Sequence, residues 1–348
     1  MLILDADDVK QAIDMPAAIA ACRRALELAT SGKADVPQRH FIDLKKKDEL
    51  AVSFFMPGFI PDLPALGLKF GALVSSNPAR GQPTTPAVTA LMDPATGALA
   101  ALIESTWLTN VKTGASTGVA TDLLARKDSA TYVVLGAGSI AYHQVAGVLA
   151  VRPTIARILL WNRTRPRAER LAAEIKATLR PTAETVVIEA PEAAVREADI
   201  VTAATSSHTP VVLGAWVMPG THVNLTGAHG ADMREGDDAL VAKAAVATVD
   251  LFAGAGVSGD VAGPIAARVR TRESFIDIGQ IALGNHRGRR TRLDITWYKS
   301  VGMAALDLVI AKAVLDNARA KGIGREMAFH GVEIARGAGG RRQHGQPG

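Results

Sequence analysis

One short segment, in which an apolar run leads directly into a glycine-rich turn, constrains the fold of this chain most strongly. Residues 131–135 (TYVVL) form a run of the kind found in parallel strands that are covered on both faces. The turn Gly136-x-Gly138-x-x-Ala141 follows at once and opens a helical pattern. In dinucleotide-binding folds the glycines permit a tight turn and close approach of the pyrophosphate. We therefore predict a dinucleotide site here, the alternative being a glycine turn without a ligand. The predicted contacts are Gly136, Gly138, Ser139 and Ile140.

Strand-like and helical segments alternate beyond this turn at the spacing of βαβ units. The next predicted strands are 157–161, 185–188, 199–203, 221–225 and 245–249. This alternation predicts an α/β fold whose Rossmann-type, doubly wound sheet occupies residues 126–303.

The first 125 residues follow a different pattern, in which a predicted helix at 15–30 precedes short strand-like pieces. Among these pieces, the sequence DPATG at 93–97 indicates a hairpin. Such a mixture is typical of an α+β domain, and we expect a last helix at 304–320 to return to it. The predicted division is therefore 1–125 with 304–330 as one domain, 126–303 as the other, and 331–348 as a disordered tail.

Composition excludes several classes of protein. With 48% apolar and 21% charged residues in 348, the chain is not a disordered protein. The single cysteine, Cys22, can form neither an internal disulfide nor a thiolate metal cluster, which favours the cytoplasm and no metal site. No apolar run reaches the roughly 18 residues of a membrane span, and the N-terminus does not have the order of a signal peptide. Because the net charge is only +5 and aromatic residues make up 4%, we expect no nucleic-acid partner.

The end of the second predicted strand indicates which nicotinamide cofactor binds. Folds that bind NAD place a carboxylate there for the ribose 2′-hydroxyl, whereas a 2′-phosphate is bound by arginine. Here the segment is Asn162-Arg163-Thr164, followed by Arg165 and Arg167, with no acidic residue. The prediction is that NADP(H) is preferred and NAD(H) is the second choice, with Asn162, Arg163 and Thr164 as contacts. The alternative is that the arginines are only the solvated start of a helix.

Three cations of the first domain, Arg39, Lys69 and Lys112, lie in unusual sequence surroundings, and Lys69 lies inside an apolar strand-like run. An ammonium group in an apolar strand is costly unless an anion accompanies it. One interpretation is that the three bind an anionic ligand. The other is that they extend to solvent or pair with Asp43 or Glu104.

At this point the chain resembles the ornithine cyclodeaminase/mu-crystallin family, from about residue 1 to residue 321. The resemblance rests on ordered segments: Met56-Pro57; Gly67-Leu68-Lys69; Asn77-Pro78-x-x-Gly81-x-Pro83-Thr84; Asp93-Pro94-x-Thr96-Gly97; Leu108-Thr109-x-x-Lys112-Thr113-Gly114-Ala115; Gly136-Ala137-Gly138; Trp161-Asn162-Arg163-Thr164; Ala203-Ala204-Thr205-Ser206; Asn224-x-x-Gly227; and Ser300-Val301-Gly302-Met303-Ala304. It implies a homodimer in which the first domain and the final helix form the dimerisation and substrate half. It also implies NAD(P)-linked chemistry at the α-carbon of an amino or imino acid.

The resemblance also implies roles for individual residues. Arg39, Lys69 and Lys112 match the cations that hold the substrate carboxylate. Further positions match contacts to the cofactor or its nicotinamide, and these are Thr84, Thr205, Ser206 and Ser300.

Three positions depart from the family pattern. Lys112 stands where the family usually has arginine, so the charge is kept but the bidentate fork is lost. Phe54 and His229 stand where the deaminating members have a glutamate and an aspartate. Both acids expected to handle the amines of a diamine are therefore absent, and cyclodeamination of ornithine is disfavoured.

The predicted site therefore keeps the cations that hold a carboxylate beside a nicotinamide, and such a site suits reduction of a C=N bond. The prediction is an NAD(P)H-dependent reductase of α-imino acids, such as 1-pyrroline-2-carboxylate or 1-piperideine-2-carboxylate. Lys69 would orient or protonate the substrate, with His229 as a second candidate proton donor. The alternative for His229 is that it only caps the segment that follows it. The alternative functions are an ornithine or lysine cyclodeaminase, an alanine-type dehydrogenase, and an NADPH-loaded binding protein of crystallin type.

Overall fold

The computed structural model describes residues 1–44 and 51–329, which fold into two β-sheets flanked by helices. The α/β class and the Rossmann-type sheet predicted from the sequence are confirmed. The predicted tail, 331–348, lies outside the described residues.

The first sheet is built by the N-terminal strands. They are β1 (Leu2–Leu4), β2 (His40–Asp43), β3 (Ala51–Ile60), β4 (Ala65–Val74), β5 (Ala87–Met92) and β6 (Leu99–Glu104). The second sheet is built by β7 (Thr131–Leu135), β8 (Arg157–Trp161), β9 (Glu184–Val187), β10 (Ile200–Ala203), β11 (His222–Leu225), β12 (Val246–Val249), β13 (Phe275–Asp277) and β14 (Thr296–Lys299). A last short strand, β15 (Arg325–Glu326), returns to the first sheet and pairs antiparallel with β1.

Helices cover both sheets. They are α1 (Ala6–Ala12), α2 (Met15–Thr30), α3 (Thr106–Leu124), α4 (Ala141–Val151), α5 (Arg165–Thr178), α6 (Pro191–Glu197), α7 (Asp238–Lys243), α8 (Phe252–Ala255), α9 (Gly259–Ala266), α10 (Ile278–Ala282) and α11 (Ala304–Lys321). None of them, within the residues described, combines the length and apolar character needed to cross a lipid bilayer.

The second sheet is parallel and has the order β13-β12-β14-β11-β10-β7-β8-β9. The chain runs outward from β7 through β8 to β9, and then returns to the other side of β7 with β10. The direction of winding therefore reverses between β7 and β10. In open α/β sheets, ligands bind outside the carboxyl ends of the strands at such a reversal.

The first sheet has the order β15-β1-β6-β5-β4-β3-β2, and α11 lies across β3, β4 and β5. The helix is apolar for most of its length and is buried against these strands. It thus returns to the first sheet, and it carries a buried acid, Asp307, beneath β4.

Two of the elements that help to build the site were not predicted from the sequence. The strand β14 is short and ends in Lys299. It is inserted between β11 and β12, which precede it in the chain, so its position in the sheet does not follow from the order of the strands in the sequence. The helix α3 contains Gly114 and Gly118 together with several threonines, which are poor helix formers. It forms because it is almost wholly buried, so that tertiary packing outweighs intrinsic propensity.

The glycines of α3 allow it to pack at backbone distance against α4. A methyl group added at Gly114 would lie 2.0 Å from the carbonyl oxygen of His143, and one at Gly147 would lie 2.0 Å from that of Gly114. Neither neighbour can move aside, because both atoms belong to helix backbones. This contact fixes the helix that carries Lys112 against the helix that follows the glycine turn.

We expect Gly114→Ala to destabilise the fold by about 2–3 kcal/mol, as overpacked helix contacts do. The measurement is the free energy of unfolding from denaturant titration. Gly263→Ala in α9 is the matched control, since its new methyl group meets only the movable side chain of Arg234, at 3.2 Å. Equal stability of the two variants would contradict the packing described for α3 and α4.

Candidate active site

A crevice opens at the carboxyl ends of β7 and β10, where the winding reverses. Gly136 ends β7 with φ at +109°, in the left-handed region, and a methyl group there would lie 2.5 Å from the carbonyl oxygen of Ala204. A methyl group at Gly138 would meet no protein atom within 4 Å, so space for a ligand lies in front of it. The helix α4 begins just beyond, without a side-chain cap on its free N–H groups. These features fit a pyrophosphate.

The tip of β8 is tied to the glycine turn. The Asn162 side chain accepts from the Ala137 backbone N–H (3.0 Å) and donates to the Thr164 carbonyl (2.9 Å). Arg165 pairs with Glu169 and Glu189. Arg163 is exposed and has no ion-pair partner in the part of the chain that the structure describes. Arg167 is likewise exposed and has no ion-pair partner among the described residues, so Arg163 and Arg167, but not Arg165, are available to a phosphate group.

Buried Glu235 holds the loops that follow β10 and β11. Its carboxylate accepts from the backbone N–H (2.7 Å) and hydroxyl (3.0 Å) of Thr205 in the first loop. It also accepts from the N–H groups of Gly227 (2.8 Å) and Ala228 (3.1 Å) in the second. Burial raises the pKa of Glu235 above its ordinary value, although the nearby Lys299 ammonium opposes the shift. Thr205, Ser206 and His229 therefore lie on loops fixed by one carboxylate.

Lys299 and Asp260 complete this support. The Lys299 ammonium lies 2.8 Å from an oxygen of Asp260 and 3.6 Å from one of Glu235, and all three side chains are wholly buried. Asp260 in turn accepts from the backbone N–H of Glu235 at 2.8 Å. Two carboxylates thus share one ammonium group beneath the crevice.

Lys69 and Lys112 meet at a single acid, Asp307. Both ammonium nitrogens lie 2.9 Å from the same oxygen, Oδ1, and all three side chains are about 95% buried. Lys69 also donates to the Thr109 hydroxyl (2.7 Å). The expectation that these lysines pair with Asp43 or Glu104 is wrong. Asp307 on α11 supplies the counter-ion instead, while Glu104 accepts from backbone N–H groups at the start of α3.

This cluster has an excess of positive charge, since two ammonium groups face one carboxylate. Burial lowers the pKa of Lys69 to about 8, with the charges of Lys112 and Arg39 adding to the effect and Asp307 opposing it. Burial also disfavours the charged form of Asp307, but the two ammonium groups outweigh it and keep the pKa of that acid below its ordinary value. Lys69 is therefore an ammonium group able to release a proton near neutral pH.

Arg39 reaches the same place from the chain segment before β2. Its Nη2 donates to the carbonyls of Val301 (3.0 Å) and Gly302 (2.5 Å). No acidic side chain of the described residues pairs with it. A methyl group added at Gly302 would lie 3.1 Å from the Lys112 ammonium nitrogen, so Arg39 and Lys112 approach one loop. The structure thus brings together the three cations that the sequence singled out.

Beside these cations lies a cleft of about 310 Å³ whose lining includes Arg39 and His229. Most of its wall is apolar and includes Val36, Phe41, Met56, Val257 and Met303. Burial lowers the pKa of His229, and the charges of Arg39 and Lys299 act in the same direction. Its imidazole is therefore neutral at neutral pH, which makes it a weaker proton donor than Lys69. Glu235, in the segment that follows His229, binds the loop that precedes it, and the alternative role of His229 as a cap stays a prediction.

The remaining predicted residues are more scattered. Ser300 lies next to the cleft and donates its hydroxyl to Asp250 at 3.0 Å. Thr84 lies between β4 and β5, where its carbonyl accepts from the Val74 N–H, and it is not part of the cleft wall. Sequence reasoning missed the acids Glu235, Asp250 and Asp307. Asp307 carried a usable signal, an acid inside the apolar stretch 304–311, of the same kind that pointed to Lys69.

Comparison with known proteins agrees with this arrangement. Residues 1–322 match the model of the ornithine cyclodeaminase/mu-crystallin family. The chain is 38% identical, over 71% of its length and 79% of the relative's, to a Delta(1)-pyrroline-2-carboxylate reductase of Paracoccus denitrificans.

Two solved structures are also similar. One is the Delta(1)-pyrroline-2-carboxylate reductase of Thermococcus litoralis in complex with NADH and L-proline, with a TM-score of 0.89 and 35% identity, covering 94% of this chain and 100% of that one. The other is an archaeal alanine dehydrogenase dimer with bound NAD, with a TM-score of 0.87 and 30% identity, covering 95% and 99%. A family model that spans nearly the whole described chain, together with these relatives, shows that the protein belongs to the ornithine cyclodeaminase/mu-crystallin family.

Proposed function

We propose that the protein is an NAD(P)H-dependent reductase of α-imino acids, with cyclic ketimines such as 1-pyrroline-2-carboxylate or 1-piperideine-2-carboxylate as substrates and L-amino acids as products. The observation that carries the proposal is the meeting of Arg39, Lys69 and Lys112 beside the crevice of the second sheet. Together they can hold the carboxylate of a substrate whose α-carbon faces the nicotinamide. The Paracoccus and Thermococcus relatives support the choice of substrate.

The chemistry needs little beyond this geometry. When bound, the reduced nicotinamide supplies a hydride to the imine carbon; the C=N π bond breaks and its electrons take a proton on nitrogen. Arg39 and Lys112 hold the carboxylate, and Lys69 supplies the proton from its Nζ. With its pKa lowered to about 8 by burial, Lys69 is close to the value at which proton transfer at neutral pH is efficient.

The cleft favours an apolar substrate side chain. No acid is among the side chains that line it in the described structure, so a distal amine would find no counter-charge there. Phe54, which stands where deaminating members have an acid, instead places its ring 5.8 Å from the Lys69 ammonium. This supports a ring-shaped imino acid over a diamine.

The proposal is tested by supplying the purified protein with NADPH and each cyclic imine, and separately with NAD⁺ and ornithine. We expect oxidation of NADPH, followed by absorbance, with formation of proline or pipecolate in equal amount. Release of ammonia from ornithine without net cofactor consumption would instead identify a cyclodeaminase. Tight NADPH binding with no turnover of any imino acid would identify a binding protein.

For the cofactor, we propose that NADP(H) is preferred over NAD(H). The support is the absence of an acid at 162–164 and the exposed Arg163 guanidinium, which has no ion-pair partner among the described side chains. The two solved relatives named above contain NADH and NAD, respectively, which supports a nicotinamide cofactor of either kind.

Arg163→Ala should weaken NADPH binding by about tenfold or more, because a charge-assisted contact to the 2′-phosphate is lost, while NADH binding stays unchanged. The measurement is the Kd of each cofactor by fluorescence titration. Arg170→Ala removes another exposed cation of α5 and is the matched control. A similar loss for both cofactors, or none for either, would contradict the preference.

We also propose a homodimer located in the cytoplasm. The edge strand β2 exposes Phe41 and Ile42, at 57% and 54%, and Phe70 of the same sheet is also partly exposed. An apolar sheet edge of this kind needs a cover. The support for the compartment is the single cysteine, Cys22, since proteins of oxidising compartments more often carry cysteines in pairs.

The lowered pKa of Lys69 leads to a prediction about pH. Above about pH 8 its ammonium loses both the charge that binds the carboxylate and the proton that it donates, so kcat/KM should fall there. Asp307→Asn removes the anion that raises the pKa of Lys69, and the alkaline fall should therefore move to lower pH. Profiles of kcat/KM between pH 6 and 10, on one substrate, measure the shift.

The control for this shift is Asp316→Asn on the same helix, whose acid is half exposed and pairs with Lys312. Its profile should match that of the unmodified protein. An alkaline fall that stays in place in Asp307→Asn, or moves upward, would exclude Lys69 as the titrating group.

A further inference from the structure

Asp250 is a buried acid that no cation of the described residues accompanies. It follows β12 and is only 1% exposed. Its Oδ2 accepts from the Ser300 hydroxyl (3.0 Å) and from the backbone N–H groups of Val301 (2.9 Å) and Gly302 (2.6 Å). Its Oδ1 accepts from the N–H of Leu251 (2.8 Å). One oxygen therefore gathers three donors from a single loop, 300–302.

The backbone carbonyls of that loop point toward Arg39. The same two residues that donate to Asp250, Val301 and Gly302, present their carbonyl oxygens to the guanidinium of Arg39. Gly302 has φ at +76°, a conformation that glycine adopts without strain, and this lets its N–H and its carbonyl point to different partners. Asp250 and Arg39 are thus linked through two peptide units.

This indirect link has an electrostatic consequence. An acid in direct contact with Arg39 would neutralise it and compete with a substrate carboxylate for its N–H groups. Carbonyl dipoles orient the guanidinium while leaving its full charge in place. The acid is kept behind the loop, where its own charge is satisfied by four hydrogen-bond donors.

We propose that Asp250 is a positioning residue for the substrate. By accepting hydrogen bonds from the donors of 300–302, it orients the Val301 and Gly302 carbonyls toward Arg39. These carbonyls place the Arg39 guanidinium for the substrate carboxylate without neutralising its charge. This inference rests on the proposed function, since it needs an acid substrate that Arg39 binds. It adds a residue outside the cleft wall to the determinants of substrate affinity.

The test is Asp250→Asn, which keeps the size of the side chain but replaces one acceptor oxygen with a donor. We expect KM for the imino acid to rise about tenfold, as for loss of a hydrogen bond to a charged group, while kcat changes by less than about threefold. The matched control is Asp237→Asn, whose acid also binds backbone N–H groups, those of Leu240 and Gly214 (both 2.8 Å), but does not reach the cleft. That variant should leave KM unchanged.

A double-mutant cycle with Arg39→Ala separates positioning from simple support of the fold. If Asp250 acts through Arg39, the KM of the double variant should equal that of Arg39→Ala alone. Additive effects, or an equal fall in kcat in both backgrounds, would overturn the inference. If Arg39→Ala alone leaves KM unchanged, the proposed substrate site fails and the inference fails with it.

Thermal unfolding checks that each variant is folded. If Asp250→Asn does not fold, the same cycle is run with Asp250→Glu, which keeps the charge and both acceptor oxygens but lengthens the side chain by one methylene. The same non-additivity with Arg39→Ala is expected, and additivity would again overturn the inference.

Discussion

Two buried ammonium groups share one carboxylate oxygen at the centre of this molecule, and the arrangement of the site depends on that contact. Lys69 comes from β4, Lys112 from α3 and Asp307 from α11, so three elements distant in sequence must meet for the charges to be compensated. Removing Asp307 would leave two like charges together in an apolar surrounding, which is strongly unfavourable. The compensation is incomplete, so net positive charge remains in the cluster, and Arg39 adds to it.

Other buried carboxylates of the crevice also hold distant parts of the chain together. They do so by accepting hydrogen bonds from the backbone N–H groups of loops, whereas Asp307 pairs with two lysines. Glu235 holds the loops after β10 and β11, and Asp250 holds the loop after β14. Each loop follows a strand of the parallel sheet, and such loops have no sheet partners of their own. Buried acids that accept several backbone N–H groups give these loops a fixed shape, so that the residues beside the nicotinamide position are preorganised.

Much of this organisation follows from the sequence, and the exceptions have physical causes. The strand, turn and helix at 131–151 are local features with strong patterns, so the Rossmann-type sheet could be predicted. The unusual placement of Lys69 and Lys112 among apolar residues also pointed to the site. Asp307 carries a similar signal, but it could not be assigned to these lysines as their partner, because it lies more than 190 residues further along the chain. Likewise, β14 lies between β11 and β12 through strand pairing with elements distant in sequence, which chain order does not reveal.

The backbone contact between Gly114 and Gly147 affects how the two sheets can move. Lys112 lies on α3, and the glycine turn leads into α4. The contact between these two helices therefore joins the cation cluster to the glycine turn of the second sheet. Helices in contact at this distance cannot slide past one another without a steric clash. The contact therefore opposes shear, the small sliding of packed helices by which many proteins change shape, between the helix that carries Lys112 and the helix that follows the glycine turn.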